Sequence, residues 1–309
     1  MIRMPGRSFA GPLPSLVPEE LALRPRLVEH VRVLAGEIGE RNLWRHEALE
    51  ASARYVEGAL RGSGCAVRDQ EFRSAGKKVR NLEAELPGDS RPEEIVLLGS
   101  HYDSVLGSPG ANDNASGVAA NVEIARLLAG RRFARTLRFV AFVNEEPPCF
   151  LTGAMGSLVY ARRARVRGER VVAMLSLETL GCYRDTEGSQ SYPFPLGLVY
   201  PRTGNFVGFV GNLASGRLVR RALGSFRGHT AFPSEGLAAP GFIPGISWSD
   251  HWSFWEQGYP AIMVTDTALY RYPHYHTEDD TPEKVDDERL ARVVAGLARV
   301  ATDLAGGPQ

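Results

Sequence analysis

Long apolar runs are missing from this chain: no stretch approaches the ~20 hydrophobic residues that a membrane-spanning helix needs. Cysteine is scarce. The three residues Cys65, Cys149 and Cys182 lie far apart, are odd in number and form no CxxC pair, which excludes a disulfide framework and a cysteine-built zinc knot and fits a reducing compartment. An excess of one charge is missing as well. Lys plus Arg is 36 and Asp plus Glu is 36, so net charge gives no footprint for nucleic acid or for an anionic membrane surface. The basic stretch "ARRARVRGER", Ala161 to Arg170, reads as a solvated helix end before a strand.

What is present is a chain of 309 residues, 43% of them hydrophobic, with room for a sizeable core. The opening "MIRMPGRSFAGPLPSLVPEE" is basic and proline-rich but has no continuous apolar segment, which makes it a poor secretory signal. The expectation is a cytoplasmic protein; a secreted or periplasmic one follows if the natural start lies upstream. Residues 1–18 read as an extended or disordered arm and residues 19–309 as one α/β domain, since neither an internal repeat nor a linker interrupts them.

Hydrophobic periodicity predicts helices from Glu19 to about Glu37 and from His46 to Arg61. "KKVRNLEAELPG" alternates weakly and predicts an edge strand. "EEIVLLGSHYDS", "TLRFVAFVNEE", "VVAMLSLETLG" and "PAIMVTDT" carry the unbroken aliphatic runs of strands buried on both faces. "NFVGFVGN" adds a shorter strand. Helical patterns at "NASGVAANVEIARLLAG", "GAMGSLVYARRARV", "ASGRLVRRALGSFR" and the closing "DDERLARVVAGLARVATDL" alternate with them. The order implies three αβα layers around a mixed, largely parallel sheet. The glycine- and proline-rich stretch between Phe226 and Ser249 reads as a long ordered loop near the active face.

Acidic residues and histidines gather where these strands stop. One run ends in His101 and Asp103, the next in Glu145 and Glu146, the third in Glu178, and in an open parallel sheet such ends share the edge where ligands bind. Carboxylates brought together raise one another's pKa unless a cation joins them. With His101, and His274 and His276 in the late "PHYHTEDDTPEKVD" segment, the nitrogen and oxygen donors suit Zn²⁺, with Mn²⁺ or Co²⁺ as substitutes, better than Mg²⁺ or Ca²⁺.

Six motifs in order, "GSHYDS", "GANDNASG", "FVNEE", "LSLETLG", "SDHWSFWEQGYPA" and "HYHTEDDTPEKVD", resemble those of the M28 family of co-catalytic zinc peptidases, which includes aminopeptidases and, more distantly, glutaminyl cyclases. The resemblance covers the chain from about Val79 onward. It implies a zinc-dependent exopeptidase fold, two zinc ions and a peptide or aminoacyl substrate. His101, Asp113 and Glu178 would hold one ion, and Asp113, Glu146 and His276 the other, with Asp113 as the bridge. Glu145 would be the general base, and the Asp103 carboxylate would orient His101 through its second ring nitrogen. The resemblance also implies a cis peptide between Asp113 and Asn114. Glu178 stands where the family often has aspartate, so altered affinity or metal preference is expected there.

Tyr272, Tyr275 and His251 are unranked candidates for stabilising an oxyanion. Glu178, Asp250 and Asp266 are candidates for recognising a substrate amine, and the "HWSFW" and "GFIPGI" segments for an apolar pocket wall. The leading expectation is an aminopeptidase. The alternatives are a one-zinc glutaminyl cyclase, a carboxypeptidase or dipeptidase using Arg184, Arg202 or Arg271 to hold a terminal carboxylate, and a binding protein descended from the same fold.

Overall fold

The computed structural model describes residues 4–307; the first three positions of the arm and the last two of the domain lie outside the described residues. Four runs of aliphatic residues form the centre of an eight-stranded sheet: β3 (Arg91–His101), β4 (Arg135–Phe142), β5 (Arg170–Glu178) and β8 (Ala261–Thr265). β4, β3, β5 and β8 are neighbours in that order and all parallel. Both faces of these strands are buried, and the side chains alternate as the two-residue period of a strand requires. Val96 and Leu98 face one apolar cluster, Ile95 and Leu97 the other.

The first cluster packs under α1 (Pro18–Val31), α2 (His46–Gly62), α3 (Gly117–Leu128), α5 (Gly216–His229) and α7 (Asp287–Ala305). The second packs under α4 (Gly156–Val166) and the short α6 (His251–Trp255), through Tyr160, Ala161, Ala164 and Phe254. The result is three layers with unequal helical covers. α7 is capped by Asp286, whose carboxylate accepts from the Arg289 amide at 3.0 Å, and its apolar stripe is buried along its length.

Three strands depart from the sequence-based expectation. "KKVRNLEAELPG" forms β2 (Lys77–Leu86), but it is not an edge: it lies between β4 and β1 (Val67–Ser74), antiparallel to both. β1 is mostly polar and exposed, "VRDQEFRS", so no hydrophobic pattern announced it. At the other end, the stretch read as one loop contains β7 (Ser234–Ala238), which pairs in parallel with β6 (Val207–Gly211), itself antiparallel to β8. The helix predicted from Asn114 starts at Gly117, after an irregular turn over Ala111–Ser116.

The described part of the arm before Pro18 has no helix or strand and is tied down by its backbone and by Ser8. Arg227 donates to the Pro5 carbonyl at 3.0 Å, the Ser234 amide to Ser8 Oγ at 2.9 Å, and Arg292 to the Pro14 carbonyl at 2.6 Å. The Ser8 bond satisfies an amide on edge strand β7. No described helix is long and apolar enough to cross a membrane.

Candidate metal centre

Parallel pairing delivers the charged residues to one edge of the sheet. His101 is the last residue of β3, Glu178 the last of β5, and Glu145 and Glu146 follow β4 after Val143 and Asn144. Asp113 comes from the irregular turn before α3, and His276 from the segment after β8. Asp113 stands between the two histidines: its Oδ1 is 3.3 Å from His101 Nε2 and its Oδ2 is 3.1 Å from His276 Nε2. Glu178 Oε2 is 3.4 Å from His101 Nε2, and Glu146 Oε2 is 3.4 Å from His276 Nε2. Two triads result, His101–Asp113–Glu178 and Asp113–Glu146–His276, each with its ligand atoms within 4.8 Å of one another. His101, Glu145 and Glu146 form a third such group, with Glu145 Oε2 at 3.9 Å from His101 Nε2.

The backbone turns sharply to aim these groups. Asn144, Thr179 and His276, which precede, follow or belong to the cluster, sit at φ of 61°, 47° and 60°, each in the left-handed region that costs a non-glycine residue about 1–3 kcal/mol. Gly110, at φ +64°, opens the turn carrying Asp113, and a Cβ there would meet the Asp113 carbonyl oxygen. The Asp113–Asn114 peptide is cis.

Buried polar groups fix the cluster from behind. The Asp103 carboxylate accepts from the amides of Glu145 and Glu146 at 3.2 and 3.1 Å. With both oxygens so engaged, it stands 3.7 Å from His101 Nδ1, and the nearer acceptor for that nitrogen is the Asp103 carbonyl at 3.2 Å. Ser249 Oγ donates to Glu178 Oε2 at 2.7 Å. Arg41, fully buried, sends its guanidinium to the carbonyls of Tyr102, Leu34, Gly39, Pro109 and Gly110, which brackets the turn leading to Asp113. Sequence pattern did not mark Arg41, because its partners are backbone carbonyls from three separate segments.

The electrostatics are those of a site built around cations. Burial pushes the carboxyls of Glu145 and Glu146 well above the usual glutamate range; repulsion adds to this, from Glu178, Asp250 and Asp113 at Glu145, and from Asp113 and Glu145 at Glu146. Burial raises Glu178 in the same direction. At His101 burial opposes the charge, yet Glu178 and Glu145 outweigh it and hold the imidazole protonated well above its ordinary range. Asp113 resists its own burial through hydrogen bonds from both histidines, and its carboxyl falls below the usual value. Glu146 Oε1 is buried without a hydrogen-bond partner among the described residues. Imidazole and carboxylate donors, an unpaired buried oxygen and protons retained for want of positive charge all fit zinc.

The other sequence candidates separate clearly. Tyr275 lines the adjoining cavity and stacks on His276, with ring centroids 3.9 Å apart, and burial raises its phenol so that it remains a donor. Tyr272 instead donates to Asp280, and His251 is buried in α6, bonded to the Ile246 carbonyl at 2.8 Å. Asp266 Oδ2 accepts from Asn112 Nδ2 and the Cys182 amide, and both Asp266 and Asp250 are buried away from the cavity lining. His274 faces Asp279 at 3.9 Å and belongs to neither triad. Cys149 is buried beside Ser74 and outside the cavity. Arg184 and Arg202 are exposed; Arg271 is buried against the Phe206 ring and bonded to Gln190 and to the Phe206 carbonyl.

The cavity beside the triads measures about 360 Å³. Asp113, Glu145, Glu146 and Glu178 form one end, and Phe150, Leu196, Phe206, Ile246, Trp248 and Met263 are among its apolar walls. Among the described residues no lysine or arginine lines it.

An α/β sheet whose parallel strand ends deliver two carboxylate–histidine triads, joined by one aspartate, to the mouth of an apolar cavity defines a metal-site hydrolase class. The chain belongs to peptidase family M28, whose sequence profile matches residues 81–301. It is 35% identical over 281 residues to the Escherichia coli (strain K12) protein described as uncharacterized protein YfbL, covering 88% of this chain and 85% of that one. The fold is similar to that of a zinc aminopeptidase from Bacillus subtilis, with TM-score 0.73 at 16% identity over 94% of this chain and 97% of the other. It is similar also to a glutaminyl cyclase from Porphyromonas gingivalis, with TM-score 0.65 at 19% identity over 91% and 98%.

Proposed function

We propose that the protein is a dizinc aminopeptidase that removes N-terminal residues from peptides. The observation that carries this reading is Asp113, whose two carboxylate oxygens each face a different histidine and so complete two triads at once. His101, Asp113 and Glu178 would hold one zinc and Asp113, Glu146 and His276 the other. When bound, such a pair supplies a Lewis acid for the scissile carbonyl and acidifies a water near neutral pH.

The chain's own groups do the rest. Glu145, at the mouth of the cavity and held by its amide to Asp103, accepts the proton of the attacking water and returns it to the leaving amine. Its burial favours the protonated form needed for the second of those transfers. Tyr275 offers a neutral phenol donor in the cavity to the developing oxyanion. Asp103 is a positioning group for both glutamates. The acidic end of the cavity suits a protonated N-terminal amine, whereas a substrate's terminal carboxylate would find no cation in the described lining. This favours aminopeptidase over carboxypeptidase chemistry. The apolar walls suit uncharged first side chains.

Glu145→Gln tests the assignment. Zinc content should remain at two equivalents while turnover of leucine amide falls about 10²- to 10⁴-fold. Unchanged turnover rejects Glu145 as the base. One zinc per chain with conversion of N-terminal glutamine peptides to pyroglutamate would make the protein a cyclase instead, and release of C-terminal residues would make it a carboxypeptidase.

A further inference from the structure

Asp280 is fully buried and lies four positions after His276, yet all its described hydrogen bonds to the metal centre run to the other side of the cluster. Its backbone carbonyl accepts from the Ala111 amide at 3.0 Å. Its Oδ1 accepts from the Asn112 amide at 2.8 Å and its Oδ2 from the Asp113 amide at 3.0 Å. Three successive amides of the turn that carries Asp113 therefore end on one residue. The Tyr272 hydroxyl donates to Oδ1 at 2.8 Å and steadies the carboxylate from its own segment. Among the described residues no basic side chain pairs with Asp280 within 4.0 Å. A buried carboxylate without a directly paired cation is costly, and here donated hydrogen bonds, with the buried Arg41 guanidinium acting on it only through space, are what compensate it.

We propose that Asp280 is a positioning residue that locks the turn bearing Asp113 to the segment bearing His276 and thereby sets the affinity of the Asp113–Glu146–His276 site. The inference rests on the two-metal reading of the cluster. Two ligands of that site come from segments more than 160 residues apart, and Asp280 is the residue that bonds one while being covalently close to the other. The His101–Asp113–Glu178 site depends less on it, because His101 and Glu178 are the ends of two hydrogen-bonded neighbouring strands. An amide in place of the carboxylate presents one NH₂ toward a backbone N–H, and one of the two turn amides loses its acceptor.

The test is stepwise metal loading of the metal-free protein, Asp280→Asn beside wild type, by zinc competition against a chromophoric chelator and by the visible absorption of Co²⁺. Asp280→Asn should weaken one equivalent by about tenfold or more, leave the other within about twofold, and alter the Co²⁺ spectrum of the weaker site only. A purely structural role would lower the unfolding temperature and weaken both equivalents alike, and that result overturns the proposal, as does wild-type affinity in both. If Asp280→Asn fails to fold, Tyr272→Phe decides: a smaller loss confined to the same equivalent supports the proposal, and two unchanged affinities overturn it. A wild-type chain that takes up a single equivalent overturns the two-metal reading and this inference with it, whereas two equivalents in wild type with an unaltered variant defeat the inference alone.

Discussion

Removing the metals should turn the cluster into a proton store, and the geometry names the groups that hold the protons. In the metal-free state His101 is held protonated well above its ordinary range, since Glu178 Oε2 at 3.4 Å and Asp113 Oδ1 at 3.3 Å accept or attract its Nε2 proton. That nitrogen is the one pointed at the cluster, so metal and proton compete for it. Glu146 is likewise raised by burial and by Asp113, and must ionise to act as a ligand. Loading the sites should therefore expel the proton that each of these groups still holds at the working pH, and the product of the two affinities should rise about tenfold per pH unit for each proton released. Calorimetric titration with zinc in phosphate and in Tris at the same pH measures the protons directly, because the apparent heat differs by the buffer's ionisation enthalpy times their number. The same raised groups fix a second sign. The unfolded chain gives up these protons at lower pH than the folded one does, so metal-free stability should decline as pH rises from the ordinary glutamate range through neutrality, and zinc should abolish the decline. Zinc binding with no net proton release between pH 6 and 8 would refute the reasoning.

Two further outcomes concern the scaffold. Glu123, buried on α3, is bonded to His30 at 3.1 Å, Arg26 at 2.9 Å and Arg126 at 2.6 Å, and despite its burial these bonds lower its carboxyl to about 2. Its depressed pKa contributes stability above pH ~4.5 that is lost as pH falls toward 2, so Glu123→Gln should cost about 2 kcal/mol at pH 7, allowing for the solvent-screened arginines, and much less at pH 3. Equal losses in denaturant titrations at both pH values would count against the ion-pair account. Arg41→Lys replaces a five-donor fork by one ammonium and should leave at least two of the carbonyls of Tyr102, Leu34, Gly39, Pro109 and Gly110 unpaired, a loss of roughly 2–5 kcal/mol. A destabilisation below 1 kcal/mol by the same assay would show that the fork is dispensable.

Much of the sheet was legible because burial on both faces leaves a mark in one dimension. Ile95 to Leu98, Leu137 to Val143 and the aliphatic stretch before Glu178 carry the pattern of central strands, and their parallel order places His101, Glu145, Glu146 and Glu178 on one edge. β1 and β7 escaped because edge strands need no apolar alternation: one is charged and the other sits among glycines and prolines. The same limit applied to the site. The residue types and the six ordered motifs were enough to propose all five ligands, and the structure brings those five side chains, with Glu145, together in three overlapping groups, two of which have the membership drawn from the resemblance.

The sequence by itself determined which strands are buried, which chemical groups stand at their ends, and hence that nitrogen and oxygen donors meet where a cation is favoured. Only the tertiary structure decided which of three candidate donors faces the cavity, that Arg271 is spent inside the core, and that Asp103, Asp280 and Arg41 hold the ligands' backbones. The physical reason is range. A strand's burial is written in neighbours two residues apart, whereas a carboxylate that bonds an amide 167 positions away is specified by the packing of the whole chain and by no local pattern.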